Sequence, residues 1–148
     1  MSLAFTTDHL AFVTGDTAAT VDFYTRVMGW PLANAIAGTK ADGRRSFISA
    51  FRADRFVLEF EEVEGRPGPA PQDAGFPHLG VDVGNRDEYE RWRAHLEACD
   101  VPYLEVRGQD IRFSDPNGLS FQLIVKDVET PTADRATAAQ RLLEEWVR

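Results

Sequence analysis

The sequence predicts an α+β protein made of two βαβββ modules with a further helix at the C-terminus. Three observations carry that expectation. A phrase headed by histidine occurs twice, as His9-Leu-Ala-Phe-Val13 and as His78-Leu-Gly-Val-Asp-Val83. After each phrase come a polar helix start, a helix with aromatics on one side, and short strands. Each copy then closes on an apolar strand with a polar side chain at its fourth position, Phe56-Val-Leu-Glu-Phe60 and Leu119-Ser-Phe-Gln-Leu123. Between the copies, Gly65 to Pro77 carries too much proline and glycine for a helix or a central strand. Self-similarity of this kind marks one supersecondary unit used twice.

In the first unit, residues 8–13 read as a strand. Thr17 to Met28 reads as a helix, with Val21, Tyr24, Val27 and Met28 at helical spacing and Gly29 as its stop signal. Leu32 to Ala37 is a weaker strand, and the Ala/Gly/Asp-rich stretch to Gly43 is a loop. Ser46–Arg52 and Arg55–Glu62 form a hairpin across Ala53-Asp54. The second unit opens with a strand at 78–83. Asn85 then caps a helix, with Glu88 as the reciprocal partner of a capping box and Tyr89, Trp92, Leu96 and Cys99 as its apolar stripe. Strands follow at 103–107, 110–114 and 119–126, the last two joined by the turn Asp115-Pro-Asn-Gly118. After Pro131 an amphipathic helix is expected over about 133–147, where Leu142, Leu143 and Trp146 would cover a neighbouring surface. The expected organisation is one domain over 1–126, with modules 5–63 and 77–126 joined by a linker at 64–76, and a helical extension over 127–148.

Composition narrows the function classes. With 148 residues, 43% of them hydrophobic, the chain can bury one core or two halves that share one. A net charge of −8, with scattered arginines, argues against nucleic acid as a partner. No apolar run approaches membrane-spanning length, and the N-terminus lacks the layout of a signal peptide. Lone Cys99 excludes an internal disulfide framework, and a cytoplasmic location is expected.

Strand parity decides which way the polar residues face. Phe56, Leu58 and Phe60 share one face, so Glu59 points to the other with Val57 and Glu61. Leu119, Phe121 and Leu123 likewise oppose Ser120 and Gln122. Leu10 and Phe12, and Leu79, Val81 and Val83, are the apolar faces of the leading strands, which sends His9 and His78 to the polar side. The repeat therefore sets His9 on His78 and Glu59 on Gln122, four metal-capable side chains in register. Plainer readings stand beside this one. A histidine at a strand start is commonly a surface residue, Glu59 belongs to a run with Glu61, Glu62 and Glu64 that suits a solvated strand end, and Gln122 suits a half-exposed strand. A register slip would bring a different glutamate inward. Arg112, alternating with Ile111 and Phe113, is a candidate substrate-binding residue.

Over roughly residues 5–126 the chain resembles the vicinal oxygen chelate superfamily, the glyoxalase, bleomycin-resistance and dioxygenase family. The resemblance rests on His9-Leu-Ala-Phe-Val13, on Thr20-Val-Asp-Phe-Tyr-Thr-Arg-Val-Met-Gly29, and on Asp115-Pro-Asn-Gly-Leu-Ser-Phe-Gln122. It implies paired βαβββ modules forming a curved mixed sheet, an incomplete barrel, around one divalent metal ion (Ni, Co, Zn, Mn or Fe). The family's ligand positions fall on His9, Glu59, His78 and Gln122. The last of these is usually glutamate. An amide there suits the dioxygenase branch poorly and the glyoxalase and epimerase branch better. The resemblance thus implies an enzyme of lyase or isomerase type, in which Glu59 moves a proton on a small substrate whose vicinal oxygens the metal chelates. Extradiol-type oxygen chemistry is the enzymatic alternative, and metal-free sequestration of a drug is the binding-protein alternative. A homodimer is expected, because each module leaves sheet edges to be covered.

Overall fold

Two sets of four strands, each wrapped on one apolar face, are what the alternating patterns build. The computed structural model describes residues 8–69, 78–106, 108, 110–125 and 142–143. Strands β1 (His9–Val13), β2 (Leu32–Thr39), β3 (Arg45–Ala53) and β4 (Phe56–Val63) form one sheet in the order β1-β4-β3-β2. Strands β5 (His78–Asp82), β6 (Leu104–Val106), β7 (Asp110–Ser114) and β8 (Ser120–Ile124) form the second in the order β5-β8-β7-β6. In both, the first strand runs parallel to the last and the other pairings are antiparallel. The predicted α+β architecture of repeated βαβββ modules is therefore observed, as two unclosed mixed sheets.

Helix α1 (Thr17–Asp22) starts where Asp16 accepts the Ala19 N–H at 2.9 Å, a side-chain cap for a donor the helix leaves unpaired. The single helix expected to Met28 instead changes pitch. Phe23–Val27 forms a π-helical turn, with Met28 N–H donating to Phe23 O at 3.1 Å. The wider turn accompanies the burial of two consecutive aromatics, Phe23 and Tyr24, in the core. Gly29, at φ +67°, then reverses the chain in a conformation that only glycine adopts without cost. Helix α2 (Arg86–Ala98) is capped by Asn85, which accepts from Glu88 N–H at 2.9 Å. The reciprocal arm of the expected capping box is not made. Asn85 N–H donates to Val83 O, and the Glu88 carboxylate pairs with Arg91.

Both sheets turn their apolar faces to one shared core. Tyr24 stacks on Phe51 and packs on Phe60 of the first sheet, with ring centroids 4.9 and 4.8 Å apart, and meets Phe121 of the second at 6.2 Å. Its hydroxyl donates to Asp115 Oδ2 at 2.9 Å, across a sequence separation of 91 residues. Asn117 Nδ2 donates to Thr20 Oγ1 at 3.0 Å, so the Asp-Pro-Asn-Gly turn is bolted to α1 as well as joining two strands. His95 on α2 donates from Nε2 to Val27 O at 2.8 Å. The expected C-terminal helix and much of the linker lie outside the described residues. Of the residues expected in that helix, Leu142 and Leu143 are described, and both are exposed. Among the described residues, no helix is long and apolar enough to cross a membrane.

Candidate functional site

On the first sheet, the parallel register sets Ala11 beside Glu59, with His9 two residues earlier on the same polar face. His9 Nε2 lies 3.8 Å from Glu59 Oε2. The other ring nitrogen, Nδ1, donates to Asp8 Oδ2 at 2.8 Å. That hydrogen bond, with the nearby Glu59 charge, raises the His9 pKa above the ordinary imidazole value. Neighbouring glutamates are spoken for elsewhere. Glu61 pairs with Lys40 and Arg66, which hold its carboxyl below the usual range, the Lys40 hydrogen bond most of all. Glu62 points to the opposite face, where it accepts the Thr17 N–H at 2.8 Å. Of the three glutamates on β4, Glu59 is the one set against His9.

The second sheet repeats the arrangement with different chemistry. Gly80 pairs with Gln122 as Ala11 does with Glu59, and His78 stands two residues before Gly80 on the polar face. His78, Arg112, Ser114, Ser120 and Gln122 line a cavity of about 130 Å³ with Leu104 on one wall. Arg112 lies beside Gln122 in the antiparallel register. Its guanidinium grips Asp110, through Nε at 3.1 Å and Nη2 at 3.0 Å. Asp110 Oδ2 also accepts from Gln122 Nε2 at 2.6 Å. Burial alone would push the Asp110 carboxyl up, but the hydrogen bonds from Arg112 and Gln122, aided by charge, hold it below its ordinary value. Asp110 is absent from the residues singled out by sequence. It shares strand parity with Arg112, but only the pairing of β7 with β8 sets it against Gln122.

The four ligand candidates thus form two pairs. Because each sheet gives its apolar face to the shared core, the polar faces of the modules are turned outward. Among the described residues, no three His, Cys, Asp or Glu side chains come close enough to hold one metal ion. His9 and Glu59 do not reach the cavity that His78 and Gln122 line. The donors themselves suit a first-row divalent cation: two imidazoles, one carboxylate and one amide oxygen. Each pair fits half of such a site.

The family model described as Glyoxalase/Bleomycin resistance protein/Dioxygenase superfamily matches residues 6–123. The chain belongs to that superfamily. Among curated proteins, no relative matches the sequence. Solved structures share the fold at low identity. The genomically encoded fosfomycin resistance protein FosX from Listeria monocytogenes is 14% identical, with a TM-score of 0.64 over 86% of this chain and 95% of that one. A mutant of the same Listeria protein, solved with Mn(II) and 1S,2S-dihydroxypropylphosphonic acid, is also 14% identical, with a TM-score of 0.62 over 85% of this chain and 96% of that one. The trypanothione-dependent glyoxalase I of Leishmania major is 17% identical, with a TM-score of 0.64 over 98% of this chain and 100% of that one.

Proposed function

We propose that the chain is a metal-dependent enzyme of glyoxalase type that acts on a small substrate bearing two adjacent oxygens. It works as a homodimer in which His9 and Glu59 of one copy face His78 and Gln122 of the other. The observation that carries this reading is the pairing itself: His9 lies against Glu59 at 3.8 Å, and the repeat-equivalent His78 and Gln122 share one cavity. The relative crystallised with Mn(II) and a dihydroxy compound supports a metal and a substrate with neighbouring oxygens. Among the described residues, strands β1 and β5 each hydrogen-bond to a single neighbour, and Leu10 on β1 is 44% exposed. A second copy would cover both edges and bring a complete donor set together.

The divalent ion, when bound, supplies Lewis acidity toward the paired substrate oxygens. The rest is done by side chains. Glu59 Oε2 takes the proton from the carbon next to the substrate carbonyl and returns it to the neighbouring position, the role open to a carboxylate on the site's rim. Arg112 is held by Asp110 and presents its remaining N–H groups to anionic substrate oxygen. Leu104 and Phe113 lend the cavity apolar surface.

A second reading, metal-free sequestration of a small molecule, draws on one observation. The described residues of a single chain gather no three metal-binding side chains. Calorimetric titration with Mn²⁺ and with Zn²⁺ separates the two. Wild type should bind about one ion per chain and a His9→Ala/His78→Ala variant none. Equal binding by both would remove the metal site, and no binding by either would favour sequestration.

A further inference from the structure

Matched positions of the two modules place negative charge differently. In the first, the carboxylate is Glu59 on β4, opposite Ala50 on β3, with Ile48 two residues before Ala50. In the second, Gln122 on β8 lies opposite Arg112 on β7, and Asp110 holds the place that matches Ile48. The amide that replaces a carboxylate has thus gained one as its neighbour, and the two are in contact.

We propose that Asp110 is a positioning residue, which holds the Gln122 amide so that its carbonyl oxygen, not its NH₂ group, serves the site shared with His78. This rests on the metal reading above. A carboxylate can only accept hydrogen bonds, so the amide atom 2.6 Å from Asp110 Oδ2 is necessarily nitrogen. The amide is planar, and its oxygen is therefore turned away from Asp110. Without that anchor, an amide has two orientations of nearly equal shape, one of which would aim N–H donors at a cation. Asp110 is itself anchored by the Arg112 guanidinium, at 3.0 and 3.1 Å, and its side chain is only 14% exposed. Outer partners of this kind orient the groups that touch a metal, and their loss weakens binding about 10- to 100-fold.

A carboxylate needs no such orientation, because both of its terminal atoms are oxygen. That difference supplies the test. Mn²⁺ and Zn²⁺ affinities are measured by calorimetry for full-length wild type, Asp110→Asn, Asp110→Leu, Gln122→Glu and the double variant Asp110→Leu/Gln122→Glu. Thermal unfolding of each metal-free protein checks that it folds, and Asp110→Ala replaces Asp110→Leu if the latter does not. Asp110→Leu should weaken binding about tenfold or more. Asp110→Asn should stay within about threefold of wild type, since one amide oxygen can still accept from both Arg112 and Gln122. In the Gln122→Glu background, the loss on removing Asp110 should shrink to about threefold or less, and Asp110→Asn, which removes the charge but keeps the acceptor, separates the anchor from a charge effect. An equal loss in both backgrounds, or a loss for Asp110→Asn as large as for Asp110→Leu, overturns the assignment. Wild type that binds neither ion overturns it together with the metal reading, whereas tight binding by every variant overturns it alone.

Discussion

Replacing Tyr24 by phenylalanine would take one atom from the bolt between the modules. Tyr24 is fully buried, and its hydroxyl donates to Asp115, itself 5% exposed. Burial, with the adjacent Asp115 charge, pushes the tyrosine pKa far up, so the phenol remains a donor at any working pH. In the variant, Asp115 keeps N–H donors from Leu119 at 2.7 Å and from Asn117 at 2.9 Å on Oδ1, but Oδ2 retains only the longer Asn117 contact at 3.3 Å. A hydrogen bond to a buried charged group contributes about 1.5–3 kcal/mol, and the surviving donors argue for the lower part, about 2 kcal/mol. For a chain of this size that corresponds to a fall of about 4–8 °C in Tm. The pH dependence has a definite sign. Burial raises the Asp115 pKa in the folded protein, although its hydrogen bonds, Tyr24's included, pull against that rise. The folded state thus holds this proton more tightly than the unfolded chain does. Asp115 accordingly lowers stability as pH rises from its unfolded value through its folded one, and the deficit is relieved on acidification. Loss of the Tyr24 donor deepens the deficit, so the cost of Tyr24→Phe should be greatest near pH 7 and shrink toward about 1 kcal/mol once Asp115 is protonated. Urea unfolding of both proteins across that range measures it. A cost below about 0.5 kcal/mol at neutral pH, or one independent of pH, would refute this account of the bolt.

Three further outcomes follow from the site. If it is shared between copies, neither His9→Ala nor His78→Ala alone should bind metal tightly, yet an equal mixture unfolded and refolded together should recover about one quarter of the wild-type sites, because half the dimers are mixed and each of those has one intact site. Recovery of none, with dimers present by light scattering, would place the ligands otherwise. Gln122→Glu should tighten metal binding while lowering the Tm of the metal-free protein, since it sets a carboxylate where the amide now donates to Asp110 at 2.6 Å; Glu59→Gln should weaken metal binding, and calorimetry with unfolding scans reads both. Because Asp8 and Glu59 raise the His9 pKa, metal affinity should begin to fall at a higher pH than an ordinary imidazole would cause, and Asp8→Ala should move that midpoint down, an effect lost if His9 is not a ligand.

Much of the fold was legible because two periodicities and a repeat agree. Period-two alternation is local, and all eight strands of the described residues fall within a few residues of their expected bounds. Gly29 acts through its own backbone and Asn85 through a side chain that caps its own helix, so they mark helix ends without help from the rest of the chain. The departures are tertiary. The π-helical turn at Phe23–Val27 goes with aromatics of both sheets, which no local propensity encodes. The missing arm of the capping box reflects competition, since Arg91 offers the Glu88 carboxylate a charged partner and Val83 O takes the Asn85 N–H.

The polar faces divide along the same line. Parity sends His9, Glu59, His78 and Gln122 to the polar side of their strands, and the registers agree with it. Parity says nothing of whether two such faces meet. That depends on how the apolar faces are used, and here one core, centred on Phe23 and Tyr24, takes the apolar face of both sheets. A chain that spends both apolar faces on itself turns both polar faces outward, which leaves each pair, among the described residues, on strands at one edge of its sheet. Asp110 shows what matched repeats conceal. Aligning His9 with His78 and Glu59 with Gln122 draws attention to what the modules share, whereas Asp110 stands where the first module has Ile48. Its partner Arg112 was visible by alternation, but a carboxylate two residues away on an exposed-looking strand has no meaning until β7 and β8 are paired and the Gln122 amide is found against it. The differences between the modules, more than their likeness, hold the information about how this particular site is tuned.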